Sequence, residues 1–242
     1  MQTKIGIIGA MEVEVKLLIS LLKPLPDENS VKTKTSGGLN FVEGLLEGVP
    51  VVIVRSGIGK VNAALCTQRL IFEFNVSHII NTGIAGAMAH GLNVLDFVVS
   101  SDALYHDMDA TGFGYKVTEI PQMKCSDFIA DKNLILQVQN SFKNLAEAKN
   151  HKLIVGRIAS GDQFISSKIT KEKIAEICSP ACVEMEGAAI AHAAYLNNIP
   201  FVIIRCMSDM ADDCGENIYT FNEETAATLS AKLVQNTVAQ MK

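Results

Sequence analysis

Apolar and polar positions along this chain of 242 residues follow two rhythms. Short apolar runs closed by glycine or small polar residues read as buried strands, and stretches with a 3.6-residue period read as helices. Lys4–Ala10 (KIGIIGA) is such a run, and from about Met11 the period turns helical. On that helix Leu17, Leu18 and Leu21 share a side with Glu14, while Glu12, Lys16, Ser20 and Lys23 gather opposite. Glu12 and Lys16 are spaced to pair on the wet face. Glu14 falls inside the apolar stripe, where a lone carboxylate must be paired, protonated or used. Two readings stay open: a slightly rotated helix with Glu14 at its edge, or a buried functional carboxylate.

The same alternation continues along the chain. Lys32–Gly48 reads as a hairpin with turns at Gly37-Gly38 and Glu47-Gly48, and Val51–Arg55 as a strand. The glycine turn SGIGK (56–60) leads into a helix from Val61 to about Phe74. His78–Thr82 is a strand followed by a second glycine-rich turn, Gly83–Ala87, and Asp96–Ser100 is another strand. Residues 105–121 form a long loop with three aromatics, suited to a lid or subunit contact. A surface helix over 128–150, a strand over Leu153–Ser160 with GDQFI (161–165) at its end, and an amphipathic helix over Lys168–Ile177 follow. Ala181–Glu186 leads into a small-residue helix, then comes the apolar strand Pro200–Cys206 and a last helix over about Glu223–Met241. With no repeat or linker, this pattern predicts one α/β domain over residues 1–242.

Composition narrows the function classes. A hydrophobic fraction of 48% argues for a large core, and a net charge of −5 argues against nucleic acid or anionic membrane as partner. Glu12 and Glu14 interrupt the first apolar segment too early for a signal peptide, and residues 74–95 are too polar to span a membrane. The six scattered cysteines read as buried thiols in a reducing cytoplasm, not as a zinc site. His106, Asp107 and Asp109 read as solvated or turn-forming residues, and no metal is assigned to them.

Candidate chemistry gathers at predicted strand ends, where ligands of open α/β sheets bind. Glu186 opens the buried helix, and Asp209 follows the apolar strand. Glu184 has a structural reading as an ion-pair partner of Arg205. Glu14, Glu186 and Asp209 come without a GxSxG sequence or a nucleophilic triad. Carboxylates in a cleft are equipment for splitting an acetal-like bond, one as base on water and one as acid on the leaving group.

Seven segments then occur in the order of one family: IGIIGAMEVEV, SGIGKVNAA, INTGIAGA, YHDMDATGFGY, SGDQFI, VEMEGAAIAH and RCMSDMAD. From Lys4 to about Phe221 the chain resembles the bacterial 5′-methylthioadenosine/S-adenosylhomocysteine nucleosidases. The resemblance implies a nucleoside phosphorylase-like three-layer sandwich, with a mixed central β-sheet flanked by helices. It implies hydrolysis of the N-glycosidic bond of these nucleosides and of 5′-deoxyadenosine, without a cofactor, by a cytoplasmic homodimer. Glu14 would activate water, and Asp209 would bind adenine and protonate it. Glu186 would hold the ribose hydroxyls with Met185 against the sugar, and Ser208 and Arg205 would support the acid and the water. Phe164 and Ile165 would hold the purine, Gly86 would line the base pocket, and Met11, Ile58 and Phe221 would line the rest. Ala110, Phe113, Tyr115 and Pro121 would reach into the neighbouring subunit's 5′-alkylthio pocket. Ile84 departs from the serine of the best-known members. A purine nucleoside phosphorylase is the nearest alternative, but Ala10-Met11-Glu12 and Asn81-Thr82 carry no phosphate-binding arginine. A non-catalytic adenosine-binding protein would have no use for Glu14.

Overall fold

The computed structural model describes residues 3–26, 28–212 and 216–241, with 216–221 described by backbone alone. Among these residues there are ten strands and six α-helices. In chain order they are β1 (Ile5–Gly9), α1 (Glu12–Ser20), β2 (Lys32–Ser36), β3 (Leu39–Leu46), β4 (Val49–Arg55), α2 (Lys60–Phe74), β5 (His78–Ala87), β6 (Phe97–Tyr105), β7 (Asp127–Ile129), α3 (Lys132–Lys143), β8 (Leu153–Ser160), α4 (Lys168–Cys178), β9 (Cys182–Glu184), α5 (Gly187–Leu196), β10 (Phe201–Asp209) and α6 (Glu216–Ala239).

All ten strands join one sheet, in the order β10-β6-β8-β9-β5-β1-β4-β3-β2, with β7 paired to β6. Because β10 also pairs with β5, the strands β5, β9, β8, β6 and β10 close into a ring, and β1, β4, β3 and β2 extend from it as an open wing. β1 lies parallel to β4 and β5, and β5 parallel to β10, while β3 is antiparallel to β4 and β6 to β10. The mixed sheet is the one expected.

Period-2 burial sorts the side chains of these strands into two cores. Ile5, Ile7, Ile53, Ile80 and Ile204 face α1, α3 and α6, where Val15, Leu18, Leu134, Val138 and Val234 cover them. Ile8, Val52, Val54, Ile79 and Ile203 face the other way, against Ala63, Cys66 and Leu70 of α2 and the alanines of α5. Helix, sheet and helix make the three-layer sandwich. The small residues of α5 let it press onto the sheet, as their pattern predicts.

Two elements differ from expectation. Gly83–Ala87 is not a turn but the second half of β5, buried throughout. β10 pairs with it as far as Gly86 and β9 pairs with Gly86 and Ala87, so its backbone groups have strand partners where a turn would leave them facing water. The 128–150 segment begins as β7, and its helix starts only at Lys132. The Asp131 side chain sets that start by accepting from the N–H groups of Asn133 and Leu134 at 2.9 and 3.0 Å.

Candidate active site

Glu14 is the third residue of α1, and only 2% of it is exposed. Its Oε2 accepts hydrogen bonds from the N–H groups of Ala10 at 2.6 Å and Met11 at 2.9 Å, and Oε1 accepts one from Ile84 at 3.1 Å. The rotated-helix reading is therefore excluded. Burial raises the Glu14 pKa above the ordinary carboxylate value, opposed by the charge of Arg205 and the three N–H groups. Gly83 makes room for this meeting, because a Cβ there would strike both Arg205 Nη1 and Glu14 Oε1.

Arg205 lies on β10 with no exposed surface. Its Nη2 donates to Glu184 Oε2 and to Asn81 Oδ1, the latter at 2.7 Å, and stands 3.8 Å from Glu186 Oε2. Ser160 Oγ donates to the other oxygen of Glu184. The ion-pair reading of Glu184 holds, and its Oε2 also accepts from the N–H groups of Glu186 and Gly187. Glu186 faces outward from this cluster, with Oε1 accepting the Gly59 N–H at 2.8 Å. Burial and the neighbouring Glu184 charge raise its pKa to about 8, against Arg205. The SGIGK turn thus presents one of its N–H groups to a carboxylate of the site.

Asp209 ends β10 at a bulge. The ladder with β5 runs Met207 to Ala85 and then Asp209 to Gly86, which leaves Ser208 as the extra residue. Ser208 and Asp209 both line the pocket. Ser208 Oγ donates to Asp209 Oδ2 at 2.7 Å, and the Ala211 N–H donates to Oδ1 at 2.7 Å. A Cβ on Gly86 would lie 2.9 Å from that Oδ1 and 2.8 Å from Ala211 Cβ, so only glycine leaves the space open.

These groups line one cavity of about 90 Å³, together with Ala10, Met11, Ile58, Ile84, Ala85, Phe164, Val183, Glu184 and Met185. Among the described residues no lysine or arginine lines it. Ile165 lines a smaller adjoining cavity with Phe164, Met185, Gly86 and Asp209. Arg205 lies behind the wall, and the side chain of Phe221 lies outside the described residues. Ala110, Phe113, Tyr115 and Pro121 do not reach the cavity of their own chain, and Phe113 is 88% exposed.

The sequence reading missed a clasp around this cavity. Lys60 Nζ bonds Asp107 at 2.6 Å and stands 3.6 Å from Asp162, whose N–H donates to Asp107 at 3.0 Å. It joins the SGIGK turn, the GDQFI loop and the start of the 106–126 loop. His106 is buried and Asp107 ion-paired, against the expectation of solvated loop residues. Glu12 and Lys16 lie on the exposed face as expected, but they do not pair with each other: Glu12 pairs with Arg55 at 3.6 Å, and Lys16 bonds Glu224 at 2.6 Å. Spacing alone does not find these partners, because they lie on distant segments.

Comparison with known proteins gives a consistent answer. The family described as the phosphorylase superfamily matches residues 4–239. A 5′-methylthioadenosine/S-adenosylhomocysteine nucleosidase of Colwellia psychrerythraea is 42% identical over 99% of this chain and 97% of its own. One from Staphylococcus aureus is 42% identical over 98% of this chain and 100% of its own. The solved Colwellia nucleosidase in complex with adenine superposes with a TM-score of 0.92 at 40% identity, covering 100% of this chain and 97% of that one. The chain belongs to the phosphorylase superfamily, and within it to the 5′-methylthioadenosine/S-adenosylhomocysteine nucleosidases.

Proposed function

We propose that this chain hydrolyses the N-glycosidic bond of 5′-methylthioadenosine, S-adenosylhomocysteine and 5′-deoxyadenosine, releasing adenine. The observation that carries this reading is a single cavity lined by Glu14, Glu186 and Asp209, with no cation among its described lining residues. Glu14 takes a proton from water as the water oxygen bonds to the anomeric carbon. The bond from that carbon to the purine nitrogen breaks, and Asp209 protonates the departing adenine. Ribosyl transfer of this kind passes through a cation-like sugar, which the Glu14 carboxylate stabilises by its charge. A raised Glu14 pKa suits a base working near neutral pH.

Glu186 accepts the ribose hydroxyls, with Met185 against the sugar. Ser208 orients Asp209, and Arg205 holds Glu184 and biases Glu14 toward its ionised form. Phe164 and Ile165 flank the purine, Gly86 gives it room, and Met11, Ile58 and Phe221 complete the wall. Residues 1–242 act as one nucleosidase domain, a reading supported by the sheet that runs unbroken from β2 to β10.

The homodimer belongs to the same reading. Val61, Leu65 and Phe72 expose an apolar stripe along α2, and Tyr195 and Leu196 end α5 exposed beside it. Such a surface supports a second copy, whose Ala110, Phe113, Tyr115 and Pro121 complete the 5′ pocket. Among the described residues no helix is long and apolar enough to cross a membrane, and the proposed setting is the cytoplasm. The deciding experiment is adenine release from methylthioadenosine in phosphate-free buffer. Release without phosphate supports hydrolysis, and release only with phosphate means a phosphorylase.

A further inference from the structure

The catalytic cavity does not end at its own walls. Ala10, Met11 and Ile58 line it and also line a larger groove of about 790 Å³, bounded by the start of α1, the β2–β3 hairpin and the end of β4. The two spaces share Met11 and Ile58, and Ile58 is 51% exposed, so a chain leaving the sugar over those residues reaches the groove.

The groove has a different chemistry. Thr33, Asn40 and Asn62 supply polar groups, and Glu12 and Arg55 supply one charge of each sign. Their contact is loose, at 3.6 Å, with side chains 65% and 59% exposed. Among the described residues it is the only ion pair that either makes. An open pair of this kind gains little by itself, and its charged groups are free to take other partners.

We propose that this groove holds the amino-acid end of S-adenosylhomocysteine, with Arg55 taking its carboxylate and Glu12 its ammonium group. The inference rests on the nucleosidase reading above. An α-amino acid carries both charges on one carbon and is neutral overall, so it matches one cation and one anion side by side. The planar guanidinium suits a carboxylate through two parallel N–H donors. A purely anionic tail would meet Glu12, and a purely cationic one would meet Arg55. An uncharged alkyl tail would leave both charges as they are in water.

The test compares S-adenosylhomocysteine with 5′-butylthioadenosine, which has the same run of four carbons on sulfur and no charge. In Arg55→Met and in Glu12→Gln, the kcat/KM ratio of the first to the second falls roughly fivefold, through KM, the scale of a half-exposed ion pair. Arg55→Lys restores part of the ratio, and added salt lowers it in the native protein. A ratio unchanged in both variants, with all nucleosides still cleaved, overturns the subsite and leaves the nucleosidase reading standing. If the native protein cleaves neither these nucleosides nor methylthioadenosine, the nucleosidase reading fails and the subsite falls with it.

Discussion

The main-chain N–H of Ile84 donates to Oε1 of Glu14 across 3.1 Å, joining residues 70 positions apart in the chain. The carboxylate therefore hangs between the start of one helix and the middle of a neighbouring strand. The bond comes from the backbone, so it survives the exchange of serine for isoleucine at this position.

Glu14→Gln tests the proposed base. An amide keeps one acceptor for Ala10 and Met11, gives up the bond from the Ile84 N–H, and cannot take a proton from water. Turnover falls by on the order of 10³-fold or more, while a substrate analogue still binds. Single-turnover kinetics with a binding titration checks this, and near-normal turnover removes Glu14 from its role.

The pH dependence follows from the same residue. A base works ionised, and burial holds the Glu14 pKa above its ordinary value of 4.5. The acid limb of kcat/KM accordingly lies above the carboxylate range, with activity rising as pH rises through the folded pKa. Glu14→Asp, if active, moves that limb; a limb at ordinary carboxylate pH contradicts the assignment.

Glu186 makes a prediction about stability. Its folded pKa of about 8 exceeds the ordinary 4.5. Its contribution is then fully present below pH 4.5 and is lost as pH climbs to about 8. Glu186→Gln, which keeps an acceptor for Gly59, flattens that decline and is more stable than the native protein at pH 8.5 without ligand. Urea unfolding at pH 5 and pH 8.5 measures the difference, and equal slopes for both proteins reject it.

Arg205 and Glu184 form the buried pair beneath the cavity. Arg205→Met leaves a buried carboxylate without its cation, at about 3–5 kcal/mol of stability. Adding Glu184→Gln to Arg205→Met recovers part of this loss, since the orphaned charge is gone. A double-mutant cycle by urea unfolding reads the coupling, and simple additivity shows that the two side chains act independently.

Gly86→Ala places a methyl group against Asp209 and Ala211. Either the acid or the purine must shift, and a displacement of this order costs about 10²-fold in kcat/KM. Steady-state kinetics with methylthioadenosine checks it, and unchanged kinetics means that the base does not approach Gly86.

Much of this was readable before the structure. Glu14 betrayed itself by lying in an apolar stripe, and Asp209 by following the most apolar strand. The turns at Gly37-Gly38 and Glu47-Gly48 also fall where their glycines place them. Gly83–Ala87 misled because glycine and alanine signal turns locally, whereas here β10 and β9 supply the strand partners and Arg205 needs the missing side chains. Lys60, Asp107 and Asp162 were invisible as a group, since an ion pair between loops leaves no periodicity. Glu12 shows the same limit: its i+4 neighbour was available, but β4 ended closer.

The extra residue in β10 sets two requirements against each other. Removing Ser208 would let Asp209 follow Met207 directly, and the ladder with β5 would run without a break. The sheet would be more regular and Asp209 would still stand opposite Gly86, but the hydroxyl that donates to its Oδ2 would be gone. Regularity of the ladder therefore stands against Ser208, and the hydrogen bonding of Asp209 stands in its favour. A deletion that looks harmless to folding would leave the Asp209 carboxylate without its side-chain donor, so one inserted residue sets the hydrogen bonding of the whole strand end.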